Sequence, residues 1–186
     1  MSEYLGDRRK ALEESFFAKQ EQKLLDEIRQ QRDQEAGIQA LAGACGIDDA
    51  SVVEALIGAG IEPETLPALT LIPLVMVAWA DGKVQDEERT AILESAASHG
   101  VRAGQPPAVL LESWLAVRPP DSLFDAWLGY AEGLRDQLGE TERQAVKRDL
   151  VGRARAVAAA AGGILGIGPK TSGAEKAVLE KIEAAL

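Results

Sequence analysis

Asp81, Asp86, Glu87 and Glu88 fall within eight residues behind an apolar run, and carboxylates so closely spaced are the side chains that hold hard cations or exchange protons. The stretch Asp81-Gly82-Lys83-Val84-Gln85-Asp86-Glu87-Glu88 matches the second half of an EF-hand loop. With Gly82 at loop position 6, Asp81 takes position 5, Val84 position 8 and Glu88 position 12. Positions 1 and 3 then fall on Val77 and Trp79, neither of which offers a side-chain carboxylate, so a full calcium cage does not form. A looser site stays open, in which Asp81 and Glu88, helped by Asp86 or Glu87, share a divalent cation such as Ca2+ across the turn. The structural alternative is that Asp81 starts a tight turn with Gly82 while the three acids that follow complement the positive end of a helix.

Other residues with reactive potential find no partners in sequence. Gly163 to Thr171 comes within one residue of a phosphate-binding loop, but Pro169 removes an amide donor and an Ala-rich helix precedes it where such a loop needs a strand. His99 stands before Gly100 at a helix end, where an imidazole offsets the dipole. Cys45, between Ala44 and Gly46, reads as a small buried filler. Trp114, Phe124, Trp127 and Tyr130 have periodic apolar neighbours and read as packing residues. Arg143, Lys147, Arg148, Arg153 and Arg155 alternate with Glu142 and Asp149, which describes a solvated face. With no nucleophile beside a base and no zinc or nucleotide constellation, the reading is non-enzymatic.

The whole chain has 186 residues with 20 basic and 30 acidic side chains, a net charge of −10. That balance argues against a nucleic-acid partner. Residues 1–35 carry 7 basic and 9 acidic groups, residues 36–140 carry 5 and 16, and residues 141–186 carry 8 and 5. The acidic middle and basic end give a dipolar molecule suited to a protein partner. One cysteine excludes an internal disulfide and fits a reducing, cytoplasmic setting. The opening residues lack an apolar signal core. The uncharged runs Leu66 to Ala80 and Ala156 to Pro169 fall short of the roughly 18 apolar residues of a membrane span.

The pattern of elements is all-α. Leu5, Leu12, Phe16, Phe17, Leu24, Leu25 and Ile28 recur at helical spacing among charged residues, predicting an amphipathic helix over residues 4–35 that lies over the domain or pairs with a second copy. A second segment, residues 36–186, reads as a compact bundle of about seven helices. Its expected helices run from Ile38 to Cys45, from an Asp48 or Asp49 cap to Ile57, and from Pro63 to Ala80 with a kink at Pro73. Further helices cover Asp86 to Ser98, Pro107 to Val117, a stretch capped by Asp121 or Ser122 to about Leu138, and Thr141 to Ala161. Gly162 to Gly173 reads as loop, and Ser172 caps a last helix.

Two parts of the chain echo each other 87 residues apart: Lys83, Glu88, Arg89 and Ile92 correspond to Lys170, Glu175, Lys176 and Leu179. Ser172 and Glu175 have capping-box spacing, with Gln85 and Glu88 in the matching places. Two helix-turn-helix halves are therefore expected, the second without an acid matching Asp81.

The run Val77-Ala78-Trp79-Ala80-Asp81-Gly82-Lys83-Val84, followed by the acidic start ending Glu88-Arg89, resembles the signature of the TerB-like family, named for tellurite resistance. The later Ala-Ala-Gly-Gly-Ile-Leu-Gly-Ile-Gly stretch leading into Ser172 and Glu175 is similar to that family's second helix pair. Residues 1–35 lie outside the likeness, and Gln85 departs from the expected Ser or Asp. The resemblance implies a helical bundle without established catalysis, a proposed acidic metal site, and work in stress-response complexes with peripheral membrane association. The family is related to the N-terminal domain of a membrane-anchored DnaJ-type co-chaperone. The expected function is thus a binding or scaffold module that holds a divalent cation at Asp81, Glu88, Asp86 and Glu87. The alternative is a metal-independent, co-chaperone-type adaptor acting through residues 4–35, which also offer a route to a homo-oligomer.

Overall fold

The computed structural model describes the backbone of residues 2–47, 49–161 and 172–186, and side chains within those ranges from Lys19 onward, Glu21 and Ala161 apart. Every regular element in these ranges is a helix, so the fold is all-α. The chain divides into two units, residues 1–40 and 41–186.

The first unit is one helix. Helix α1 (Ser2–Cys45) continues through Gly37, where the sequence reading separates two helices. A lone interior glycine costs a helix only about 1 kcal/mol and does not stop it. Its stop comes at Gly46, which takes a left-handed φ of +68° as its amide donates to the Ala42 carbonyl. Leu24, Leu25 and Ile28 of the first unit are exposed, among short-range pairs such as Lys23 with Glu27 at 3.7 Å.

The second unit begins with the end of α1, whose Leu41 is fully buried, and holds α2 (Ala50–Gly58), α3 (Ile72–Ala78), α4 (Asp86–Ser98), α5 (Pro106–Ala116), α6 (Asp121–Gln137), α7 (Glu140–Ala161) and α8 (Gly173–Ala185). Helix α3 is the axis of the core. All seven of its residues are buried, as a helix apolar on every side requires, and α4, α6, α7 and α8 pack around it.

One expected helix is instead two elements: a 3-10 segment (Pro63–Leu71) runs into α3. Pro67 and Pro73 each lack an amide proton, and the tighter 3-10 winding accommodates Pro67 in a way a continuous α-helix does not. The same segment forms the bed for α5. Trp79, at the end of α3, ties this layer down by donating its indole N–H to the Trp114 carbonyl at 2.8 Å. Helix α2 packs on α6 at Gly129, where a Cβ would stand 3.5 Å from Val52 Cγ2, and Ile47 ahead of α2 lies 3.3 Å from where a Cβ on Gly133 would stand. No single described helix is long and apolar enough to cross a membrane.

Candidate functional site: a buried carboxyl pair

Helix α3 stops at a turn that sets the direction of α4. The Gly82 amide donates to the Trp79 carbonyl at 3.0 Å and Gly82 adopts φ +95°, a conformation that costs any side chain with a Cβ. Asp81 Oδ1 accepts the Lys83 amide at 3.2 Å and steadies the bend. Asp81 therefore serves the turn itself, and it is exposed.

Helix α4 then starts at Gln85, whose extended backbone (φ −81°, ψ 156°) turns its amide onto Glu88 Oε2 at 2.8 Å. Helix α8 starts in the same manner. The Ser172 amide donates to Glu175 Oε2, and Ser172 Oγ accepts the Glu175 amide at 3.1 Å. In each case an acid in the first turn reaches back to satisfy the cap amide, the reciprocal economy of a capping box.

The two acids are the only buried charged residues described in the second unit, Glu88 at 1% and Glu175 at 6% exposure. They also meet. The Glu175 side chain lies near enough to that of Glu88 for the two carboxyls to interact, so the positions that echo each other in sequence come together in the interior. Two carboxyls bond to each other only when one carries a proton. Burial is the main force holding the Glu88 carboxyl up, to about 7, and the negative charges of Glu175 and Asp81 add to it against the opposing Gln85 N–H. The Glu88 carboxyl therefore changes its charge near neutrality.

The structure does not gather the four acids of the sequence motif. Glu88 turns inward to Glu175, Asp81 holds the turn, and Asp86 and Glu87 line a shallow depression between α4 and α7 with Thr90, Glu94 and Ala160. Among the described residues no three His, Cys, Asp or Glu side chains converge as metal ligands. The donor set at the pair itself is thin, since each carboxyl already accepts a backbone amide. Asp81, Glu88, Asp86 and Glu87 are thus spread over three settings rather than gathered at one point, and of the four only Glu88 is buried, near Glu175. Sequence spacing alone passes over Glu175 as a site residue, although its place in the 87-residue echo is the signal that pairs it with Glu88.

The remaining candidates have structural partners. His99 closes α4, with Nδ1 2.7 Å from the Ser95 carbonyl and Nε2 3.8 Å from Asp149. A carbonyl only accepts, so Nδ1 bears the proton. The Cys45 thiol is half-buried and faces the Ala42 carbonyl. Phe124 and Trp127 stack with centroids 5.9 Å apart. Arg143, Arg153 and Arg155 pair with Glu140, Asp149 and Glu183, and Lys147 donates to the Glu183 carbonyl. The glycine-rich loop, residues 162–171, lies outside the described residues.

Compared with models of protein families, with curated proteins and with solved structures, the chain matches none of them.

Proposed function

We propose that this chain is a non-enzymatic, TerB-like binding module, a helical scaffold for a protein partner in which a shared proton locks α4 to α8. The observation that carries the reading is the burial of Glu88 against Glu175. A general acid or base has to touch its substrate. The carboxyl best tuned for proton transfer at neutral pH faces another helix start instead, with one oxygen committed to the Gln85 amide. Its proton chemistry is spent on architecture.

Thermal unfolding of metal-stripped protein, titrated with calcium, magnesium, manganese and zinc at pH 5.5 and pH 8, tests this. The expected outcome is a midpoint that responds to pH and not to millimolar cation. A ligand at 100 times its Kd adds about 2.7 kcal/mol, which for a domain of this size is a rise of roughly 5 to 10 °C. Such a rise for one cation, lost in an Asp81→Asn, Glu88→Gln variant, would replace the shared proton with a metal.

A second reading has its own observation. Leu24, Leu25 and Ile28 of α1 are exposed, and a helix with such a stripe serves self-association or adaptor binding. Sedimentation of the full chain beside a Leu24→Glu, Ile28→Glu variant decides it: a dimer reduced to monomer supports assembly through residues 4–35, and identical sedimentation removes it.

A further inference from the structure

Helices α6 and α7 follow one another with only Leu138 and Gly139 between them, yet they hardly touch. Helix α7 packs on α3, α4 and α8, while α6 packs on α2, α3 and α8. The wedge left between them is a half-open cavity of about 420 Å³, within the range of roughly 300–1,000 Å³ seen for small-molecule sites. Its walls are apolar. Trp127, Tyr130 and Leu134 come from α6, Val146 and Leu150 from α7. The stacking of Trp127 on Phe124 fixes one wall in place.

Two charged residues of α7 interrupt this lining, Asp149 and Arg153. Arg153 of α7 borders the cavity with a side chain only 15% exposed, and its Nη2 forms an ion pair with Asp149 Oδ2 at 2.9 Å. Its Nε and Nη1 are shielded from water and have no hydrogen-bond partner among the described residues. A buried donor left unpaired is destabilising, and here two lie on one guanidinium. The charged groups facing it are Asp149, more than half exposed, and beyond Asp149 the ring of His99. Asp149 offsets the charge at Nη2 and leaves Nε and Nη1 without an acceptor.

We infer that the cavity between α6 and α7 binds a small amphipathic carboxylate of the fatty-acid type, with its hydrocarbon chain against Trp127, Leu134, Val146 and Leu150 and its carboxylate on Arg153. The apolar walls supply most of the binding free energy and the guanidinium selects the headgroup. A carboxylate offers the two acceptors that a fork of N–H donors matches. The orphaned donors are shielded in this structure, so binding requires the guanidinium to turn toward the cavity. A hydroxyl headgroup satisfies one donor at most, and a cationic headgroup finds no acceptor on Arg153. This site is separate from the carboxyl pair, which joins α4 to α8.

The test is calorimetric titration of the full chain with decanoate below its micelle concentration, with decanol and decyltrimethylammonium as the neutral and cationic counterparts. Decanoate is expected to bind at least tenfold more tightly than decanol, and the ammonium compound more weakly still. Arg153→Met keeps the stem and removes the donors, so it brings decanoate down to the affinity of decanol. Ala145→Phe, at an exposed position on the cavity rim, blocks all three without touching the core and serves as the check if Arg153→Met unfolds. The inference fails if the wild-type chain binds no decanoate, if it binds decanol equally well, or if either variant binds decanoate as the wild type does.

Discussion

At the scale of single residues, the Glu88 carboxyl makes stability depend on pH in a definite direction. Its pKa is raised in the folded chain from the usual 4.5 to about 7, so between those values the folded state binds more protons than the unfolded one. Stability contributed by this group is then fully present near pH 4.5 and is lost as pH rises through 7. The loss is roughly 2 kcal/mol, allowing for partial screening. Glu88→Gln mimics the protonated acid: its amide oxygen still accepts the Gln85 N–H, and its amide nitrogen donates to Glu175. Denaturant unfolding at pH 5.5 and pH 8 should show a large difference for the wild-type chain and little for this variant, which becomes the more stable of the two at pH 8. Glu88→Ala, which strands the Gln85 amide, should be destabilised at both. Trp79→Phe tests a second residue-scale contact. It leaves the Trp114 carbonyl without its indole donor and should lower stability by about 1–2 kcal/mol in the same measurement.

Among the elements, those that local chemistry decides are the ones that sequence reveals. Helix α4 runs from Asp86 to Ser98 as its acidic first turn and Gly100 dictate, and α8 opens after Ser172 because the hydroxyl and Glu175 satisfy each other across three residues. The 3-10 winding of Pro63–Leu71 is hidden because apolar periodicity is shared by both helix types, and proline spacing alone does not say which the packing prefers. The continuity of α1 is hidden for a related reason, since Gly37 weakens a helix by less than its neighbours support. The turn before α4 is the element most exposed to one substitution. Gly82→Ala forces a Cβ into φ +95° although nothing obstructs it in space, so the cost is conformational, about 1 kcal/mol. A chemical-denaturation midpoint lowered by that amount, with unchanged pH dependence, is the expected outcome.

For the whole molecule, the core is organised around α3, and its amides should exchange with solvent only through global unfolding. Hydrogen exchange of Val75 to Ala78 is expected to be the slowest in the chain and to quicken from pH 5.5 to pH 8 beyond the intrinsic rate change, an excess absent from Glu88→Gln. The long-range features were the least legible in sequence. The meeting of Glu88 with Glu175 depends on α4 and α8 being brought together around α3, and the 87-residue echo marks the positions without stating that they touch. The cavity depends on the divergence of α6 from α7, which no spacing within either helix encodes. Trp127 and Tyr130 read as packing residues because their periodicity is the same whether the space beside them is filled or open.

The joint between α4 and α8 also brings two helix beginnings to one point. Each carries about half a positive elementary charge from its aligned peptide dipoles. A carboxyl pair holding one proton carries one negative charge, so the junction as a whole is electrically neutral. Removing that proton leaves it one unit negative. The interior of this acidic protein therefore keeps its own local charge balance, set by a single proton and independent of the −10 carried by the chain.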